Sequence, residues 1–133
     1  MKSDFIIVNS LWVQSKLRVL WPMRLELLDR AYTVPTMDYF LYVALADLID
    51  QKPYIEDFRD CDDYALWFKA MCSLNYGITS TGLVRDYSSG HAYNSVVFPE
   101  GNVMLFEPQT DSLTFITKRN RKMYGLGFGF ILV

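Results

Sequence analysis

At Gly77 the hydrophobic pattern of this 133-residue chain changes from helical to alternating, and that switch restricts the fold more than any other feature. Upstream, apolar residues recur at three- and four-residue spacing over 37–51 and 61–75. Downstream, residues 78–85, 91–98, 102–107, 112–117 and 123–133 alternate and read as strands. Helices first and strands after predict an α+β domain, with N-terminal helices packed on an antiparallel β-sheet. No repeat or low-complexity linker interrupts the chain, so 1–133 is expected to be a single domain. Residues 1–34 form a poorly readable N-terminal extension. There, 5–8 suggests a strand, 16–21 alternates weakly, and Pro22 would open a short helix over 23–28.

In the helix over 37–51, Thr36 is the expected cap and Pro53 the terminator. Tyr39, Tyr42, Val43, Ala46 and Ile49 form its apolar stripe, which Leu41, Leu45 and Leu48 widen enough to suggest burial on more than one side. The helix over 61–75 begins at Asp60-Cys61-Asp62-Asp63. Asp60 is a good N-cap, and Asp63 completes a carboxylate capping box. Gly77 suits the left-handed cap at the other end. Cys61, Ala65, Phe68 and Cys72 fall on one face, so Cys61 stands where a buried stripe reaches the helix tip. A thiol in the first helical turn is favoured as thiolate by the helix dipole.

Composition excludes several classes. With 51% hydrophobic residues the chain is not disordered. A net charge of −2 gives no global case for nucleic acid or an anionic membrane, and the basic run 118–122 reads as a solvated turn. No apolar run is long enough to span a bilayer. Lys2, Asp4 and the short apolar run at 5–8 do not make a secretory signal. Cys61 and Cys72 lie on one expected helix, about 16 Å apart along its axis, too far for a disulfide. Two reduced thiols suit a cytoplasmic protein. Residues 128–133 read as a core strand, or as an oligomer contact if exposed.

The only histidine, His91, opens a strand, and Glu107 lies on the next. Pro99-Glu100-Gly101 suits a three-residue hairpin loop with glycine in the left-handed position. That loop pairs Phe98 with Asn102 and Val97 with Val103, which puts His91, Tyr93, Glu107 and Gln109 on one face. Glu107 is then a diagonal neighbour of His91. A four-residue loop would send Glu107 to the opposite face. Cys61, His91 and Glu107 are thus candidate nucleophile, base and orienting group. Asn94 is either a strand polar group or a contact of this site.

The order Cys61, Gly77-Ile78, His91-Ala92-Tyr93 and Glu107-Pro108 resembles the papain-like/transglutaminase-like cysteine peptidase superfamily. Cys61-Asp62-Asp63 and Glu107-Pro108-Gln109 are most similar to the calcium-dependent protease domain of fungal agglutinins and its phage-encoded relatives. Over about residues 35–117 the resemblance implies a papain-like core and a catalytic triad of Cys61, His91 and Glu107. It also implies calcium ligands at Asp62, Asp63 and Gln109, and no organic cofactor. The implied function is a cysteine hydrolase or acyltransferase that acts on a peptide or amide through an acyl-thioester. If phage-encoded, it would work in the host cytoplasm or the virion. Such enzymes place a glutamine six or seven residues before the cysteine, where this chain has Tyr54 and Ile55; Gln51 is an uncertain substitute. Losing one oxyanion donor costs ~100- to 1,000-fold in rate. That departure keeps open an inactive phage structural or binding protein. A peptidoglycan-cleaving Cys-His amidase shares the Asp-Cys helix start, but usually has Ser-Gly after the cysteine. Asp62 and Asp63 are either helix-start charges or metal ligands. Each carboxylate at about 6 Å opposes the thiolate by roughly 2–3 kcal/mol, which a bound cation would reverse.

Overall fold

A computed structural model describes residues 3–133; Met1 and Lys2, part of the leader reading, lie outside the described residues. The architecture is α+β. A two-stranded antiparallel sheet joins β1 (Phe5–Asn9) to β3 (Ala31–Pro35), with α1 (Ser10–Leu17) and β2 (Arg24–Glu26) between them in the chain. Then come α2 (Met37–Ala46) and α3 (Cys61–Tyr76). The strands β4 (Gly82–Asp86), β5 (His91–Val97), β6 (Val103–Glu107), β7 (Ser112–Thr114) and β8 (Gly129–Leu132) complete the chain. The larger sheet has the order β2-β8-β4-β5-β6-β7. It is antiparallel except where β2 runs parallel to β8.

Alternation along the strands gives this sheet two buried faces. On one, Val84, Tyr93, Leu105 and Ile131 pack with Val13, Leu17 and Leu20 from the N-terminal segment. On the other, Val96, Met104 and Phe106 pack with Phe40 of α2 and with Phe68 and Cys72 of α3. Phe40 is the hub of that second layer, meeting Phe68, Phe98 and Phe106 edge-on at centroid separations of 5.8, 5.9 and 5.2 Å.

Several local readings hold. Thr36 caps α2 by accepting from the Tyr39 N–H, and the capping box of Asp60 and Asp63 is present on α3. Gly77 ends α3 at φ 66°. The hairpin has the expected register, Val97 opposite Val103, with Gly101 at φ 92°.

Others are corrected. Residues 24–26 form a strand rather than a helix, because they find a parallel partner at the far end of the chain. The helix from Met37 stops at Ala46, since Asp47 turns extended and its Oδ1 accepts from the Ile49 N–H at 2.8 Å. A side chain offering the backbone that alternative breaks a helix. Its buried residues are Phe40, Val43 and Ala44, whereas Leu41, Tyr42, Leu45 and Leu48 are exposed. The strand expected from 78 begins at Gly82, the Thr79 N–H having bonded the Thr33 hydroxyl instead. The final strand is only Gly129–Leu132, and both its edges are paired, so it offers no free edge to a second copy.

Gly82 marks a close approach. A Cβ there would lie 2.2 Å from Ser95 Oγ and 3.0 Å from Ile131 Cγ2. Gly82→Ala should therefore destabilise the protein by about 1–3 kcal/mol in urea unfolding, and an unchanged midpoint would show that the strands part freely there.

Candidate functional site

Cys61 is the first residue of α3 and His91 the first of β5. By alternation His91 belongs to the sheet face opposite the one α3 covers. The two are near enough at the end of the strand for the imidazole and the Ala92 N–H both to lower the thiol's pKa. Asn94 fixes the helix against the sheet: its Nδ2 donates to Ala65 O at 2.8 Å and to Gly82 O at 3.1 Å. This answers the open question about Asn94, which positions α3 and leaves the thiol to others.

The hairpin brings Glu107, at the end of β6, back to His91. His91 Nε2 and Glu107 Oε1 are 2.5 Å apart, with side chains 23% and 13% exposed. With Nε2 engaged by the carboxylate, Nδ1 is the ring nitrogen left for the thiol. Sequence reasoning missed Tyr124, whose hydroxyl donates to the same Glu107 oxygen at 2.9 Å. It also missed the support behind it. Tyr93 Oη donates to Asp86 Oδ2 at 2.8 Å, and that oxygen also accepts from the Leu126 N–H at 2.9 Å, tying down the loop that carries Tyr124. The tyrosine rings of 93 and 124 meet edge-on at 4.7 Å. Their partners lie many residues away, and no periodic signal marks them.

The electrostatics favour a charged pair. Hydrogen bonding to His91 holds the Cys61 thiol below its ordinary pKa; burial and the Asp60 charge push the other way, and the Ala92 N–H and imidazole charge help lower it. Burial alone would depress His91, but its bonds to Cys61 and Glu107 and the Glu107 charge outweigh this and raise it to about 9. Imidazolium and thiolate therefore each favour the charged form of the other. Cys72 shows the contrast: burial pushes its thiol up to about 12. Both cysteines are free.

Asp62 and Asp63 group with Asp60, one carboxylate oxygen of each lying within 4.8 Å of the others. Gln109 borders an open hollow of about 340 Å³ alongside His91, Glu107, Thr110 and Tyr124. Gln51 is exposed in the 3-10 turn Ile49–Gln51.

No family model and no curated relative matches the chain. Solved structures do. One is described as the PSL1a-E64 complex, with a TM-score of 0.75 and 25% identity, covering 96% of this chain and 50% of that one. Another is the Polyporus squamosus lectin bound to the human-type influenza-binding epitope Neu5Aca2-6Galb1-4GlcNAc, with a TM-score of 0.71 and 23% identity over 96% of this chain and 49% of that one. The chain thus spans about half the length of the structures it matches.

These matches correct the family reading. Of these structures that share the fold, one is described as a lectin, and neither description names a papain-like peptidase or a phage protein. Membership of the cysteine peptidase superfamily, cysteine-hydrolase function, thiol-protease character, a peptide or amide substrate and phage kinship are set aside on that ground. The order of Cys, His and Glu along the chain reports a local chemical arrangement, and one arrangement can sit in proteins of different function.

The ion pair makes a pH-dependent prediction. An ordinary cysteine, with pKa about 8.5, is only a few per cent thiolate at pH 7. Cys61 should be alkylated by iodoacetamide faster than that at pH 6–7. Glu107→Gln should lower the imidazole pKa, shrink the thiolate fraction and slow alkylation at pH 7 about tenfold, with the difference fading toward pH 9. Equal rates for both proteins at pH 7 would contradict the pairing.

Proposed function

We propose that this chain is the thiol-bearing part of a lectin-like protein, in which Cys61 is a nucleophile toward an electrophilic ligand. His91 takes the thiol proton and Glu107 fixes the imidazole. The observation carrying this reading is the Glu107 carboxylate at 2.5 Å from the His91 ring, in a position where that imidazole lowers the pKa of the Cys61 thiol. Tyr124 is a positioning residue: burial, then the Glu107 charge, raise its phenol, so it stays a donor to that carboxylate. At fold level we read α3 with β4–β7 as a papain-like/transglutaminase-like core within one domain, on the ground that a helix-tip cysteine precedes an antiparallel sheet bearing histidine and acid. This is an architectural likeness and brings no peptidase activity with it. The free thiols fit a reducing, cytoplasmic setting.

Calcium belongs to the same proposal. Asp60, Asp62 and Asp63 supply oxygen donors only, the chemistry a hard cation prefers. The crowding there already raises the Asp60 carboxyl, through its hydrogen bond to Asp62 first. A cation held by these residues would supply positive charge beside the thiolate. Gln109 remains a proposed further ligand from the sequence. Calcium should then speed Cys61 alkylation in the wild type and not in Asp62→Asn.

A second reading, glycan recognition, is favoured by the description of the Polyporus squamosus lectin as bound to a sialylated epitope. The two readings are separable. Under the first, E64, the compound in the PSL1a complex, should protect Cys61 from iodoacetamide as read by intact-mass spectrometry, and Cys61→Ala should bind none. Under the second, Neu5Aca2-6Galb1-4GlcNAc should give calorimetric heats that survive Cys61→Ala. An unprotected Cys61 would remove the first reading, and absence of heats the second.

A further inference from the structure

Away from the thiol, three carboxylates converge where α2 ends. Asp47 is the C-cap residue of α2, Asp50 lies in the turn Ile49–Gln51, and Asp111 lies between β6 and β7. One oxygen from each lies within 4.8 Å of the other two. Asp47 is only 7% exposed. Its Oδ1 is engaged by the Ile49 N–H, whereas its Oδ2 is buried with no hydrogen-bond partner. Asp50 Oδ1 and Asp111 Oδ1 are buried and unpartnered too. The ion pairs among the described residues involve none of the three. Burial and the charges of Asp47 and Asp50 push the Asp111 carboxyl up, and no positive group opposes them.

A buried carboxylate with an unpaired oxygen is unfavourable, and three together are more so. The arrangement becomes favourable when a cation sits among the three carboxylates. The donors are all oxygen, with no imidazole or thiolate, which selects a hard ion over zinc or copper.

We propose that Asp47, Asp50 and Asp111 form a calcium-class divalent cation site, separate from the carboxylates at the tip of α3. A cation there joins two segments far apart in sequence: the turn that follows Glu107 and the 3-10 turn that leads into the Cys61 helix. It thereby ties the segment after the Glu107 strand to the one before the Cys61 helix. The site stands on its own oxygens, so it holds whether or not Cys61 is reactive.

The test compares thermal unfolding of wild type, Asp47→Asn, Asp111→Asn and Asp62→Asn in chelator, in millimolar calcium and in millimolar magnesium, with calcium calorimetry alongside. In chelator, Asp47→Asn and Asp111→Asn should melt at or above the wild-type temperature, because each removes one buried like charge. Calcium should raise the wild-type Tm by several degrees, with a smaller rise in magnesium. The calcium rise should shrink in Asp47→Asn and Asp111→Asn to what the helix-tip carboxylates alone supply, while a rise from the Asp47 site persists in Asp62→Asn. Should Asp47→Asn fail to fold, the half-buried Asp50→Asn serves the same comparison. A wild type that shows neither a calcium shift nor calcium heats overturns the proposal. So does a calcium response kept in Asp47→Asn and Asp111→Asn but lost in Asp62→Asn, which would place the ion at the helix tip.

Discussion

The contact between His91 Nε2 and Glu107 Oε1 is the constraint on which the site rests. It exists because the loop after Phe98 has three residues. Phe98 N–H bonds Asn102 O at 3.0 Å, Gly101 N–H bonds Phe98 O at 2.8 Å, and Gly101 takes the left-handed backbone. One residue more or fewer would turn Glu107 through the sheet and leave the imidazole without its carboxylate. A loop remote from the thiol thus sets the charge state of the sulfur.

The surroundings reinforce that setting from two directions. Behind Glu107, Tyr124 holds the carboxylate, and Asp86 holds the loop bearing Tyr124 by gathering Tyr93, Ser88 and the Leu126 N–H. Despite burial, those donors keep Asp86 below its ordinary pKa. On the helix side, Asn94 is fully buried and draws α3 onto the sheet. The sulfur then balances the imidazole and the Ala92 N–H against the adjacent Asp60. Partners held on rigid elements at Cys61, against deep burial at Cys72, distinguish the two thiols.

What was legible in the sequence was local. The Asp60–Asp63 box, the Thr36 and Gly77 caps and the hairpin register each depend on residues within a few positions of one another. Because the hairpin register was readable, so was the meeting of His91 and Glu107. The illegible parts are contacts set by tertiary packing. Nothing near Arg24–Glu26 announces a parallel pairing with Phe130–Leu132. The face α2 buries is centred on Phe40, which meets three other rings; the stripe read from spacing caught Tyr39, Val43 and Ile49 but omitted Phe40 and Ala44 and included the exposed Tyr42 and Ala46. Function was less legible still. The ordered Cys, His and Glu pointed to a peptidase, whereas a solved structure sharing the fold is described as a lectin.

Because His91 is the only histidine, its ring can be titrated by NMR without assignment ambiguity. A paired imidazolium beside a thiolate should titrate near 9, and Cys61→Ala should move that midpoint downward. A midpoint at the ordinary 6.5, unmoved by Cys61→Ala, would contradict the thiolate–imidazolium pair.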